Sequence, residues 1–373
     1  MNIAIVCYPT FGGSGVLATE LGKALAEKGH NIHFITYQQP VRLSGFHANI
    51  FYHEVRVPTY PLFDFPPYET ALASSMVDIV NNHQIDVLHV HYAIPHAAAA
   101  YMAKQILAKQ GKNIPVITTL HGTDITLVGK DKTYSPVVTF SMEESDILTA
   151  VSNNLKEETY KNFNIHKPIE VIYNFVDVKR FNKKPIAAFK QSIAPKNEKI
   201  IVHASNFRKV KRVKDVVDVF LRVNENIPSK LLLIGDGPDR ASIEDFTRHC
   251  PKGNDIIFLG KQEQMEDILP IADLFLLPSE YESFGLAALE AMAAEVPVIV
   301  TNAGGLPEIL TNGQAGYMCN VGDVKDMAEK ALKILSDEIV HETFRKNALA
   351  QAKEFDIDSI VPQYESLYKR LIQ

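Results

Sequence analysis

Short apolar runs rich in β-branched residues alternate with amphipathic stretches along this chain of 373 residues. In the first half, we predict strands at residues 3–6, 32–36, 87–90, 116–119 and 147–151, and a first helix at residues 15–28 closed by Gly29. Alternation of this kind favours βαβ crossovers, which build a mainly parallel sheet with helices on its faces. The first half is therefore expected to form an α/β domain.

The same alternation begins again after a charged, proline-containing and lysine-rich segment at residues 182–199. Predicted strands follow at residues 200–203, 231–235, 256–259, 274–277 and 298–300, with helices near 213–226, 240–250, 324–335, 339–354 and 357–372. A chain of this length is too long for one ordinary core. We therefore predict two tandem Rossmann-like domains, residues 1–170 and 171–355, with a ligand in the cleft between them at the carboxyl ends of both sheets.

Charge and cysteine usage exclude several classes of protein. The net charge of −6 argues against a nucleic acid or an anionic membrane as the main partner. Three widely separated cysteines indicate neither a disulfide framework nor a zinc knuckle, so a reducing cytoplasm is expected. Met1 leads directly into the first strand without a basic leader, and no apolar run reaches the length of a membrane span.

Two glutamates eight positions apart, Glu282 and Glu290, bracket the start of a predicted helix in the second half. Pro278 ends the strand before it, and Ser283 is placed to cap a helix that runs to about Ala294. Glu290 then lies roughly two turns after the cap and nearly on the same face, about 10 Å along the axis.

The first backbone N–H groups of this helix, at Phe284, Gly285 and Leu286, are predicted to be unpaired and to favour an anion. A diphosphate at the helix end and a ribose against Glu290 are compatible with this geometry. A surface helix with scattered acidic residues can have the same spacing. The pair of glutamates alone therefore does not distinguish a nucleotide-binding helix from an ordinary surface helix.

A glycine-rich loop, residues 12–15, follows the first strand and opens the first helix. Gly13, Gly15 and Ala18 satisfy the loose dinucleotide pattern, but a nicotinamide enzyme also needs an acid at the end of the second strand. Residues 36–39 contain none. We therefore interpret the loop as a turn whose amides approach an anion, with a tight turn that binds no ligand as the alternative.

Histidines cluster at the predicted carboxyl ends of two strands in the first half. His89 and His91 alternate along one strand, Tyr92 and His96 follow it, and His121 follows the next strand. An H-x-H metal site needs further ligands, and the sequence indicates no acidic or cysteine partner. A polar wall of the cleft or hydrogen-bonded core histidines are the favoured interpretations.

A basic loop follows the first strand of the second half and supplies four cations, Arg208, Lys209, Lys211 and Arg212, in five positions. A solvated run of charge is the ordinary explanation. Its place at a strand end favours anion binding instead, because ammonium and guanidinium groups neutralise a leaving diphosphate. Glycine turns at residues 235–238 and 304–305 follow other strands at the same edge.

In order and spacing, these motifs resemble the retaining glycosyltransferases of the GT-B fold, family 4, over essentially the whole chain. Longer strings at residues 7–15, 91–96, 120–126, 173–175 and 205–212 resemble the members that act on L-malate. The resemblance implies two Rossmann-like domains with an interdomain cleft, and a C-terminal helix at about residues 356–373 that returns to the first domain.

The resemblance also implies the reaction: N-acetylglucosamine passes from UDP-N-acetylglucosamine to the hydroxyl of L-malate with retention of configuration, the first step of bacillithiol biosynthesis. No metal or cofactor and no protein nucleophile are implied, because an oxygen of the leaving UDP takes the acceptor proton. Positioning and charge stabilisation then supply most of the acceleration.

The roles that the resemblance implies divide into three sets. The residues nearest the reaction are His121 beside the anomeric centre, Arg208 and Lys211 on the β-phosphate, and Glu282 on the hexose. The donor contacts are Gly13, Asn206, Ser283, Phe284, Gly285, Leu286 and, on the uridine ribose, Glu290. Since malate is a dianion, we expect Ser14, Gly15, Arg42, Tyr92 and Thr119 to supply its hydrogen-bond donors.

One position departs from the family pattern. Many members carry arginine five residues before the phosphate lysine, where this chain has Asn206, and Arg208 stands only three residues before Lys211. The role of Arg208 is therefore less well defined than that of Lys211.

Other functions remain compatible with the motifs. An acceptor such as an inositol phosphate or an envelope sugar would use the same donor site, as would a non-catalytic UDP-sugar-binding protein. The missing acid disfavours a nicotinamide oxidoreductase. The expected partners are the two substrates, with neither nucleic acid nor membrane, and the sequence leaves a homo-oligomer open.

Overall fold

The computed structural model describes residues 1–58, 64–182 and 186–372. The chain divides into two compact units. The first is Met1–Asn174 together with the C-terminal segment from Ser359, and the second is Phe175–Asp358. The division predicted from the sequence lies after residue 170, with a return to the first domain at about residue 356.

The first unit contains a seven-stranded, fully parallel sheet in the order β3-β2-β1-β4-β5-β6-β7. The strands are β1 (Asn2–Val6), β2 (Asn31–Thr36), β3 (Ile50–Glu54), β4 (Val87–His91), β5 (Val116–Leu120), β6 (Ile147–Ala150) and β7 (Ile169–Val171). The helices are α1 (Gly13–Glu27), α2 (Tyr68–His83), α3 (Ala98–Lys109), α4 (Ser135–Glu143) and α5 (Asn153–Asn162). Irregular wide turns, Ala93–Ala97 and Thr123–Leu127, follow β4 and β5.

The second unit contains a six-stranded parallel sheet in the order β10-β9-β8-β11-β12-β13. Its strands are β8 (Lys199–Ser205), β9 (Ser229–Gly235), β10 (Ile256–Gly260), β11 (Leu274–Leu277), β12 (Val298–Thr301) and β13 (Gly316–Cys319). Its helices are α6 (Val178–Phe181), α7 (Ala187–Ile193), α8 (Val213–Asn224), α9 (Arg240–Arg248), α10 (Met265–Ile268), α11 (Leu286–Ala293), α12 (Leu306–Ile309), α13 (Val324–Leu335) and α14 (Glu338–Ala352). The predicted α/β class with two Rossmann-like sheets is confirmed.

Each sheet has one place where the strand order reverses. In the first sheet β1 and β4 are neighbours, and in the second β8 and β11 are neighbours. Because the connections that follow such a pair leave toward opposite sides of the sheet, their loops separate and open a crevice at the carboxyl ends. This topology positions the candidate site of each unit.

Three strands were not predicted, and none of them contains four consecutive apolar residues. β3 is an edge strand with mostly exposed side chains. β7 has three residues. β13 begins with Gly316, where a side chain would collide with the carbonyl oxygen of Val298 on the neighbouring strand.

The last helix, α15 (Ile357–Ile372), packs on the first unit. Its buried face includes Tyr364 and Tyr368, and the Tyr368 hydroxyl lies 2.8 Å from Nδ1 of His89 on β4. Glu365 forms ion pairs with His30 and Lys28 at 2.9 and 3.3 Å. Each fully buried large apolar side chain contributes about 1.5–3 kcal/mol, so this face fixes the helix on the sheet.

None of the helices formed by the described residues is both long and apolar enough to cross a bilayer.

Candidate functional site

The loops after β8 and β11 lie side by side at the reversal point of the second sheet. The Glu280 N–H donates to the carbonyl oxygen of Val210 at 2.8 Å. His203 on β8 lies 2.8 Å from the carbonyl oxygen of Leu276 on β11, and its other ring nitrogen lies 2.8 Å from the Ser205 hydroxyl. These contacts fix the basic loop against the loop that contains Glu282.

Lys211 and Glu282 form an ion pair in this crevice. The lysine Nζ lies 2.6 Å from the glutamate Oε1, and the side chains are 18% and 14% exposed. The Ser279 hydroxyl donates to the same oxygen at 2.8 Å. Since partial burial reduces screening by water, the contact orients the ammonium group more firmly than an exposed pair could.

The predicted helix cap is wrong. Gly285, with φ of +104°, precedes the first helical residue, Leu286, and Ser283 lies two residues before that glycine. A side chain at residue 285 would combine strained backbone with a contact of 2.5 Å to Leu306 Cδ2. The amides of Leu286 and Ala287 precede the first i→i−4 bond of the helix, which joins Leu289 to Gly285, so the anion-favouring end of the helix lies there.

This shift also corrects the predicted position of Glu290. Glu290 stands four residues after Leu286, which is about one turn and 6 Å along the axis, on the same face. Its carboxylate side chain is 8% exposed. The two glutamates are therefore separated by one helical turn and the turn before the helix, rather than by two helical turns.

Glycine turns support both loops. A Cβ at Gly304 would collide with the carbonyl oxygen of Glu282, and the Gly305 N–H donates to that oxygen at 2.8 Å. Similarly, a Cβ at Gly235 would collide with the carbonyl oxygen of Ser205. The sequence predicted both turns at this edge of the sheet, but it contains no pattern from which their backbone contacts could be predicted.

The four cations of the basic loop have different surroundings. Arg212 pairs with Asp215 at 2.7 Å and with Glu280 at 3.1 Å, so it serves the loop's own structure. Asn206 and Arg208 are exposed on either side of Phe207, which is fully buried and anchors the loop.

In the first unit, the reversal point brings the glycine loop next to the loop after β4. The Tyr92 hydroxyl donates to the Ser14 hydroxyl at 2.7 Å. Gly13 is exposed at the start of α1, whereas Gly15 is buried. A Cβ at Gly15 would collide with the carbonyl oxygen of Tyr8, so close packing, rather than contact with an acceptor, explains this glycine.

The two other predicted acceptor residues, Thr119 and Arg42, differ in their surroundings. Thr119 is fully buried, and its hydroxyl lies 2.8 Å from His89 Nε2 and 2.7 Å from the Thr149 hydroxyl. Its side chain therefore supports the site from the core and is removed from the acceptor set. Arg42 lies in the turn after β2, where it adopts a φ of +62°.

The histidines on β4 and at the ends of β4 and β5 form a hydrogen-bonded layer. His91 Nδ1 lies 2.8 Å from His121 Nε2, and His96 Nδ1 contacts the carbonyl oxygen of His91. Burial lowers the pKa of His89 and of His121 to about 3 and that of His96 to about 4. These rings are therefore neutral at physiological pH.

Asp124 joins the two loops that follow β4 and β5, a role that the sequence analysis missed. Its carboxylate accepts the Ala93 N–H at 2.9 Å and the Gly122 N–H at 3.0 Å. Burial raises the pKa of this carboxyl to about 6. Across residues 1–58, 64–182 and 186–372, no group of three or more histidine, cysteine or acidic side chains has a geometry that could hold a metal ion.

Two family models match the chain in succession. The model described as Glycosyltransferase Family 4 matches residues 11–180, and the model described as Glycosyl transferases group 1 matches residues 186–351. Together they cover the elements that carry both candidate sites.

Curated relatives match along nearly the whole chain. The N-acetyl-alpha-D-glucosaminyl L-malate synthase of Bacillus anthracis is 46% identical over 370 residues, which are 99% of this chain and 96% of the relative. An uncharacterized glycosyltransferase of Methanocaldococcus jannaschii is 27% identical and covers 99% and 98% of the two chains.

Solved structures share the fold at low sequence identity. Anabaena HepE, solved in complex with UDP and glucose, superposes with a TM-score of 0.82 at 19% identity, with 99% of each chain covered. WaaG, a glycosyltransferase involved in lipopolysaccharide biosynthesis, superposes with a TM-score of 0.77 at 14% identity, covering 98% and 99%.

The neutral histidine layer predicts loss of stability in mild acid. Each histidine whose pKa is lowered by folding binds its proton at about pH 6.5 when unfolded, so the free energy of unfolding falls as pH drops from about 6.5 toward 4. Asp124 has the opposite effect, because folding raises its pKa. Its contribution to the free energy of unfolding is therefore lost as pH rises through about 6. The four histidines of the layer, His89, His91, His96 and His121, outweigh the single aspartate.

Urea unfolding at pH 7, 6, 5 and 4.5 measures this dependence. We expect the free energy of unfolding to fall by roughly 1–3 kcal/mol per pH unit below 6.5. The Asp124→Asn variant should show a steeper slope, since it loses the opposing contribution. A stability that stays constant between pH 7 and 5 would contradict the assignment of neutral rings.

Proposed function

Since this chain belongs to the family 4 glycosyltransferases of the GT-B fold, we propose that it transfers N-acetylglucosamine from UDP-N-acetylglucosamine to the hydroxyl of L-malate. The observation that carries the proposal is the Lys211–Glu282 pair beside the start of α11, with Glu290 one turn further. This arrangement offers an ammonium group and helix amides to a diphosphate, and two carboxylates to sugar hydroxyls. The Bacillus anthracis relative, whose name specifies this product, supports the choice of substrates.

Donor binding is proposed to add a second partner to Lys211. The β-phosphate of the donor attracts the ammonium group, which is 2.6 Å from the Glu282 carboxylate and stays oriented by it. Glu282 keeps its hydrogen bond from Ser279 and also accepts from hexose hydroxyls. The same lysine then neutralises charge as it develops on the leaving diphosphate.

Glu290 is proposed to bind the uridine ribose. Its carboxylate lies on the face of α11 that contains Leu286, and it is nearly buried. A ribose presents hydroxyl donors, and hydrogen bonds to an ionised acceptor are stronger than those between neutral groups. The nucleotide would thus lie along the helix, with its diphosphate toward the amides of the first turn.

The proposed transfer retains the α configuration. The bond from the anomeric carbon to the diphosphate oxygen breaks, and a bond to the malate hydroxyl oxygen forms. The hydroxyl proton passes to an oxygen of the leaving UDP, so no protein base is required. Orientation of the two substrates and charge neutralisation by Lys211 lower the barrier.

Malate is proposed to bind at the start of α1 in the first unit. Its carboxylates would accept from the Ser14 hydroxyl, which the Tyr92 hydroxyl orients by donating to it, and from the exposed amide at Gly13, with Arg42 supplying positive charge. We further propose a cytoplasmic location, supported by the unpaired state of Cys7, Cys250 and Cys319.

An acceptor panel tests the proposed reaction. Purified protein is incubated with UDP-N-acetylglucosamine and L-malate, D-malate, an inositol phosphate or no acceptor, and products are identified by mass. We expect N-acetylglucosaminyl malate from L-malate, with unchanged yield in the presence of a chelator. If product forms with inositol phosphate and not with L-malate, L-malate is rejected as the acceptor. If the protein binds UDP but forms no product with any acceptor, it is a non-catalytic binding protein.

The ribose assignment predicts a selective loss of nucleotide affinity. Glu290→Gln keeps the size of the side chain and removes its charge, so the Kd for UDP in calorimetric titration is expected to rise about tenfold. Glu329→Gln on α13, a largely exposed glutamate, serves as the matched control and should bind UDP normally. An unchanged Kd for Glu290→Gln would reject the ribose role.

The proposed acceptor site predicts that changes at Ser14 and Tyr92 alter the KM for malate and not the KM for the sugar nucleotide. Replacing both hydroxyls, Ser14→Ala with Tyr92→Phe, should raise the malate KM about tenfold or more and leave the KM for the sugar nucleotide unchanged. Tyr134→Phe, at an exposed tyrosine, is the control. The assignment fails if the double variant keeps the malate KM of the parent protein.

A further inference from the structure

His91 and His121 are joined by a hydrogen bond between two imidazole rings. The ring nitrogens are 2.8 Å apart, the ring centroids are 5.0 Å apart, and the planes are inclined by 27°. His91 is 2% exposed, whereas His121 is partly exposed. Such a bond requires one nitrogen that carries a proton and one that does not.

Both rings are neutral at physiological pH, so each has a single N–H. Burial lowers the pKa of His121 to about 3 and that of His91 well below its usual value. Two arrangements are then available. Either His91 donates from Nδ1 and His121 carries its own proton on Nδ1, or His121 donates from Nε2 and His91 carries its proton on Nε2.

The surroundings of His91 Nε2 distinguish these arrangements. This nitrogen is buried and has no hydrogen-bond partner among the residues that the structure describes. If it carried a proton, the fold would contain a buried N–H without an acceptor, which is rarer and more costly than a buried lone pair without a donor. The first arrangement, in which Nε2 is bare, avoids that cost.

His96 is consistent with the same choice. Its Nδ1 contacts the carbonyl oxygen of His91, which can only accept, so the His96 proton resides on Nδ1. Its Nε2 is therefore also a bare, buried nitrogen without a partner among the described residues.

We propose that His91 is a positioning residue that donates its Nδ1 proton to Nε2 of His121 and thereby fixes the His121 tautomer with the proton on Nδ1. His121 then presents an N–H, rather than a lone pair, from its remaining ring nitrogen. Given the proposed function, which this role presupposes, that N–H donates to an oxygen of the transferred sugar as the reaction proceeds.

The ring of His91 is itself fixed from the core. It stacks on His89 with a centroid distance of 4.5 Å. Both nitrogens of His89 are hydrogen-bonded, one to the Tyr368 hydroxyl on α15 and one to Thr119. Asp124 joins the turns that directly follow His91 and His121, through the N–H groups of Ala93 and Gly122. This supporting layer fixes the orientation that the tautomer requires.

Nitrogen NMR of protein labelled with ¹⁵N-histidine measures the tautomer directly, with His121→Gln used to assign the signal. We expect His121 to be protonated on Nδ1 and bare on Nε2 at pH 7.5. Protonation on Nε2 would overturn the proposal. This measurement needs no substrate, so it decides the tautomer even if the chain transfers no sugar and the proposed function fails.

Three variants at residue 91 test the consequence for the reaction. Asn can donate from the position of Nδ1, Leu cannot hydrogen-bond, and Asp can only accept. We expect His91→Asn to keep kcat within about threefold, and His91→Leu to lower it at least tenfold without changing the Kd for UDP.

His91→Asp should move the His121 proton to Nε2, and its kcat should show a new dependence on pH, because a carboxylate favours a protonated imidazole. Equal kcat values for the Asn and Leu variants, both folded by circular dichroism, would overturn the proposed role. The NMR result stands independently for any variant that does not fold.

Discussion

The reversal of strand order in each sheet is the constraint on which both candidate sites depend. β1 and β4 are neighbours in the first sheet, as are β8 and β11 in the second, so the loops after each pair begin side by side at the carboxyl ends and flank a crevice there. In the second unit this brings Lys211 within 2.6 Å of Glu282, although the two are 71 residues apart in the chain. In the first unit it brings Tyr92 within 2.7 Å of Ser14.

Strand periodicity and motif order predicted the two-sheet class, because buried parallel strands leave continuous apolar runs in the sequence. Neither strand periodicity nor motif order could predict where α11 starts. Ser283 is a residue type that often caps helices, but it lies two residues before the actual cap, Gly285, whose positive φ and close approach to Leu306 set the start of the helix. Likewise, a strand end does not reveal that Thr119 points into the core, or that Gly304 packs on the backbone of Glu282.

Stability and the candidate site share one polar layer in the first unit. The chain of contacts from Tyr368 through His89 to Thr119 joins the C-terminal helix to the central strands. His91 stacks on this chain and hydrogen-bonds to the partly exposed His121. Because buried polar groups are costly unless they are paired, the layer favours a single arrangement of rings, and that arrangement extends to the surface where an acceptor would bind.

In the proposed reaction, Lys211 and Glu282 act as one unit on the sugar nucleotide. A double-mutant cycle on kcat/KM, with Lys211→Met, Glu282→Gln and both together, measures their coupling. If the two residues act as one unit, the double variant loses little more kcat/KM than the worse single variant. The coupling free energy between the two substitutions is then at least about 1.4 kcal/mol, a factor of about ten. If the fold-losses in kcat/KM of the two single variants simply multiply in the double variant, the two residues act independently, which would contradict the proposal.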